Sequence, residues 1–126
     1  MKKIAVIISA LLMSGCVSLI PSFWDDNQSR VIVDVRQSTI NLNCKAAHLP
    51  QVVQLQSQLQ WFQLYSESKG QRQQDVLALI KPMQETVSDF VTRSQQQQGS
   101  DAYCELKKRV LIQQSTAAAS AVLGRF

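Results

Sequence analysis

The residues whose types could carry chemistry are few: three cysteines at positions 16, 44 and 104, the single histidine His48, and a basic run, Lys107-Lys108-Arg109. Nucleophilic catalysis needs a serine or cysteine set against a base, and metal chemistry needs nitrogen, sulfur or carboxylate donors at ligand spacing. Neither pattern occurs. The chain holds no GxSxG, no Gly-rich phosphate loop and no CxxC, and His48 lies two residues before Pro50, a loop position rather than a general base. Glu85 and Asp89 share a helix face, but four-residue acidic spacing with Lys81 just before it is the pattern of a solvated surface. The sequence therefore reads as non-enzymatic, with no metal, no cofactor and no small-molecule substrate.

Cys16 has a different context. Lys2 and Lys3 precede an apolar run from Ile4 to Met13, followed by Ser14, Gly15 and Cys16. A basic start, a short apolar stretch and small residues make a secretory signal. The run is about half of the ~20 residues a helix needs to cross hydrocarbon, so cleavage is expected rather than a permanent span. The stretch Leu12-Met13-Ser14-Gly15-Cys16 resembles the lipobox of bacterial lipoproteins, with Met13 where leucine is usual. The resemblance implies cleavage after residue 15 and covalent lipid on Cys16. Several acyl chains would hold the protein firmly, since each buried CH₂ contributes ~0.8 kcal/mol. Val17 and Ser18 stand where an aspartate resembles an inner-membrane retention signal, so the resemblance implies an outer-membrane address on the periplasmic side.

Without its signal the chain keeps eleven Lys/Arg against nine Asp/Glu, a balance that gives no electrostatic case for nucleic-acid binding. Lipid on Cys16 leaves Cys44 and Cys104, an even pair in an oxidising compartment, and a disulfide is expected. Closing so long a loop stabilises by about 4 kcal/mol on the chain-entropy argument.

These residues need elements to position them. Residues 16–24, with Pro21, read as a lipidated tether, and residues 25–126 as one helical domain. Asp25 and Asp26 suit a helix start, with Ile32, Val35, Thr39 and Leu42 at helical spacing. Val31, Val33 and Val35 also alternate as a strand would, so residues 31–35 carry both readings, with helix preferred. Pro50 fits a first turn; Val52, Leu55, Leu59 and Phe62 then form one seam, which Gly70 ends. A third segment, about 73–97, places Val76, Leu79, Ile80, Met83, Val87, Phe90 and Val91 on one face, and Pro82 within it predicts a kink or a break. Ser100 offers a cap for a last helix carrying Cys104, Leu106, Val110, Ala117 and Ala121 inward. The expected fold is all-α: a small antiparallel bundle of about four helices stapled by one disulfide. Such a bundle brings the end of the first helix and the start of the fourth to one end, where Cys44 and Cys104 fall.

Eighteen glutamines enrich the polar faces, either as solvated surface or as seams flanking a stripe used by a partner helix or a second copy of the chain. Phe23 and Trp24, just beyond the tether, could rest at a membrane interface or pack inward. Lys107, Lys108 and Arg109 could meet an acidic partner or anionic headgroups, although three consecutive helical residues point around the helix rather than to one side.

Three stretches, Leu64-Tyr65-Ser66-Glu67-Ser68-Lys69-Gly70, Asp75-Val76 and Tyr103-Cys104-Glu105-Leu106-Lys107-Lys108, together with Cys44, resemble a group of small lipoproteins of tailed phages. That resemblance implies the outer-membrane subunit of a spanin, which binds a single-span inner-membrane protein across the periplasm in the last step of host lysis. Two other classes fit the same features: a superinfection-exclusion lipoprotein masking an outer-membrane receptor, and a host envelope scaffold or assembly lipoprotein.

Overall fold

A computed structural model describes residues 24–70, 73–96 and 99–125. The expected signal peptide, the lipidated Cys16 and Phe23 lie outside the described residues. Four helices account for nearly all of the described chain: α1 Asp26–Ile40, α2 His48–Ser68, α3 Gln74–Gln95 and α4 Asp101–Leu123. Among the described residues no strand forms, and Val31 to Val35 lie within α1.

Local chemistry sets the helix ends. The Asp25 side chain accepts from the Gln28 backbone N–H at 2.8 Å, an N-cap that ties down a donor left free in the first turn. Pro50 is the third residue of α2, where its missing N–H costs no intrahelical bond. After α2 the chain passes through Lys69 to Gly70, whose φ of +100° and N–H bond to the Glu67 carbonyl close the helix. Ser100 caps α4 by accepting from the Tyr103 N–H at 3.1 Å.

Each helix packs on its sequence neighbours, and α1 closes the ring against α4. Short links make neighbours antiparallel, so the start of α1, the end of α2, the start of α3 and the end of α4 share one end of the bundle. At the opposite end Cys44 and Cys104 form the disulfide, with Cα atoms 5.6 Å apart. The core runs between them as layers of Ile32, Val35, Leu55, Leu59, Phe62, Ile80, Met83, Phe90 and Leu111, all buried.

Four expectations are revised: no break occurs at Pro82, Leu79 on the same helix is exposed, His48 opens α2 instead of lying in a loop, and the inward face of α4 is not the one expected. Helix α3 runs without a break through Pro82. Pro82 and Ala78 are both exposed, so the ring projects outward and the Ala78 carbonyl, which loses its helical partner, can be solvated. In α4 the inward face is Cys104, Leu111, Ser115, Ala118, Ala119 and Val122. Leu106, Ala117 and Ala121 are exposed and Val110 is half-buried, so the expected face is rotated away from the true one.

Candidate functional site

Three regions concentrate polar side chains. The first is the end of the bundle where the described chain begins. Gln28, fully buried, donates through Nε2 to Ser66 Oγ at 2.9 Å and to Gln73 Oε1 at 2.8 Å, and its Oε1 accepts from Arg125 Nη2 at 2.9 Å. One residue from each helix, or from its flank, thus meets in a single polar layer. Burial lowers the pKa of the Arg125 guanidinium, with Asp75 and Asp25 opposing the shift.

Beside that layer, Asp25 accepts from the Lys69 ammonium and from the Tyr65 hydroxyl, and the same hydroxyl accepts from Asn27 Nδ2 at 3.0 Å. Desolvation raises the pKa of the Asp25 carboxyl. The Lys69, Gln28 N–H and Tyr65 hydrogen bonds and the Lys69 charge outweigh it, and the net shift is downward. Trp24 is 44% exposed at this end, and its indole N–H donates to Asp26 Oδ1 at 2.6 Å.

The second region is the stapled end. His48 Nε2 lies 2.9 Å from the Cys44 carbonyl, and its ring meets Phe90 edge-on at 5.9 Å. A Cβ at Gly99 would come within 3.3 Å of His48 Nδ1, so the backbone at Gly99 lies directly against the imidazole. Both ring nitrogens are thereby crowded by the fold, the geometry of a packing residue. Lys45 pairs with Asp101 at 2.8 Å across the same end.

The basic run does not form one patch. The Lys107 ammonium lies over the Tyr103 ring at 5.5 Å, and Arg93 covers that ring at 4.4 Å. Lys108 turns the other way and donates to the Leu42 carbonyl at 2.8 Å, satisfying a backbone acceptor just past α1. Arg109 is exposed.

The third region is the α1/α2 seam, the least extensive of the four contacts that close the ring of helices. Two surface hollows, of about 420 and 370 Å³, open along it. Asn27, Arg30, Val31, Ser57 and Trp61 line one; Gln37, Ser38, Asn41, Gln51 and Gln54 line the other. Asp34 and Gln58 belong to both, so the hollows join into one trench. Trp61 is 45% exposed and stacks on Tyr65 at 4.9 Å and 9° between ring planes. Gln51 clasps the far end of the seam, donating to the Asn43 and Ala47 carbonyls and accepting from the Asn43 N–H.

Sequence reasoning singled out the disulfide and Trp24, and missed both the Gln28 layer and the trench. The layer left no signal, because buried glutamines look like surface ones. The trench left a faint signal in the row Gln51, Gln54, Gln58, whose spacing places all three on one side of α2. Comparison of the chain with known sequence families, with curated proteins and with solved structures finds no match.

Proposed function

We propose that the protein is a non-enzymatic lipoprotein, held by lipid on Cys16 at the periplasmic side of the outer membrane, and that it acts by protein–protein contact as the outer-membrane subunit of a phage spanin. The observation that carries the anchoring is the order of the N-terminal sequence: Lys2-Lys3, an apolar run, then Ser14-Gly15-Cys16. Only eight residues separate Cys16 from Asp25, the cap of α1. A tether that short keeps the end of the bundle that carries Trp24 near the lipid surface and turns the disulfide end toward the periplasm. The longest helix among the described residues has 23 residues, about 35 Å at 1.5 Å per residue, so an inner-membrane partner would supply the rest of the reach.

The anchoring is tested by fractionation: Cys16→Ala should move the protein out of the membrane fraction, and unchanged retention would refute it. The partner is tested by crosslinking the tagged protein in intact Gram-negative cells that express it from its native operon. Capture of a single-span inner-membrane protein is the expected result. Capture of a β-barrel would replace the spanin role with receptor exclusion, and self-crosslinks alone would leave a structural envelope lipoprotein, as a homo-oligomer.

A further inference from the structure

We propose that the α1/α2 trench is a binding site for a linear oligosaccharide bearing N-acetyl groups. From Asn27 to Asn41 the trench follows α1 for about 21 Å at ~1.5 Å per residue, and each of its two hollows falls within the ~300–1,000 Å³ of small-ligand sites. Its lining is what selects the ligand. Arg30 and Asp34 cancel in charge, which removes the attraction for a phosphate or another ionised ligand. The large apolar members are Val31 and Trp61 alone, too few for the row of anchors that an amphipathic helix lays into a groove.

What remains is amide, hydroxyl and one aromatic face. The side-chain amides of Gln37 and Gln54 are exposed and make no hydrogen bond to the described residues, so each offers both a donor and an acceptor. Gln58, where the hollows meet, keeps its amide oxygen buried with no protein donor. A buried acceptor left unpaired is costly, and a turn of the half-buried Gln58 side chain into the trench would bring its oxygen within reach of a sugar hydroxyl or an acetamido N–H that satisfies it. Acetamido groups match the glutamines in kind, each pairing one N–H and one C=O with an amide.

Trp61 completes the chemistry. Tyr65, one turn later in α2, covers one face of the indole, so the other face looks back toward Ser57, which lines the same hollow. Tyr65 is itself pinned by Asp25 and Asn27, and the indole is thus a fixed platform on which the C–H face of a pyranose ring can lie. A platform fixed beforehand loses little entropy on binding.

The test is titration of the full-length protein in detergent with tetra-N-acetylchitotetraose, read by calorimetry and by tryptophan fluorescence, with maltotetraose as the comparator. Saturable binding of the N-acetylated sugar is expected, with maltotetraose much weaker. Trp61→Ala should weaken binding about tenfold, as loss of one stacking contact implies. Gln54→Ala, at an exposed position that leaves helix content by circular dichroism unchanged, should weaken it several-fold, and Trp24→Ala should leave it unchanged. Absence of binding at millimolar sugar would overturn the site, as would unaltered affinity in both trench variants. Equal binding of maltotetraose would overturn the amide pairing, and binding of a neutral Gln/Ser peptide in place of either sugar would overturn the ligand class.

Discussion

Replacing Gln28 by methionine keeps the side chain's length and removes all of its hydrogen bonds, which makes it the sharpest test of how the open end of the bundle is held. Three partners lose a bond at once: Ser66 Oγ, Gln73 Oε1 and Arg125 Nη2. Ser66 and Gln73 are buried and cannot turn to water without opening the helix ends. An orphaned buried polar group costs about 1–3 kcal/mol, and burying the methionine in place of an amide returns part of that. The net loss should be about 3 kcal/mol, or a fall in Tm of about 12–24 °C at 4–8 °C per kcal/mol for a domain of this size. Thermal and urea unfolding followed by circular dichroism read the change directly. Pairing it with Gln73→Met adds a second check: once Gln28 is gone, removing Gln73 removes an orphan, so the double variant should lose less than the sum of the singles by about 0.5–3 kcal/mol. A single variant within about 0.5 kcal/mol of the parent, with additive doubles, would refute the claim that this layer holds the end together.

Other outcomes follow from the same structure. Replacing both Cys44 and Cys104 by serine opens a loop of 60 residues and should lower stability by about 4 kcal/mol in the oxidised protein, and reductant should reproduce most of the loss; an unchanged Tm would remove the staple argument. Pro82→Ala restores a helical N–H at an exposed position of α3 and should raise stability by about 1–3 kcal/mol in urea titration, whereas a loss would mean that the proline fixes a bend the packing needs. The Asp25 carboxyl has its pKa lowered by folding, so its contribution is complete above its ordinary pKa of about 4 and is lost as pH falls through the lower folded value. Unfolding midpoints measured from neutral pH downward should drop over that acid window, and Asp25→Asn should flatten the drop; an equal acid dependence in the variant would remove Asp25 from the account.

Much of the architecture was legible in residue order, because large apolar side chains announce their face. Val52, Leu55, Leu59 and Phe62 recur at three- and four-residue steps, and all four are buried. The same holds for Ile32, Val35 and Leu42 on the first segment and for the row from Val76 to Val91, with Leu79 the exposed exception. Asp25, Gly70 and Ser100 marked helix boundaries through chemistry that acts within four residues. Cysteine parity and antiparallel topology together implied the Cys44–Cys104 bond, now seen at one end of the bundle.

Tertiary structure alone decided the rest. Helix α4 faces inward through Ser115, Ala118 and Ala119, small residues whose weak hydrophobic signal cannot outvote Leu106 and Val110 in a sequence pattern. Ser115 faces inward because its hydroxyl shares a 3.1 Å hydrogen bond with Thr39 of α1, a partner 76 residues away. Likewise, Gln28 is buried only because Ser66, Gln73 and Arg125 arrive from three other places in the chain to satisfy it. The trench, too, belongs to packing: helix period put Gln54 and Gln58 on one side of α2, but the loose α1/α2 contact is what leaves a hollow beside them. Sequence by itself determined which segments are helices and where they stop, because caps, glycine, proline and apolar period act locally. Which polar groups are interior, and which seam stays open, depends on groups distant in the chain meeting at hydrogen-bond range.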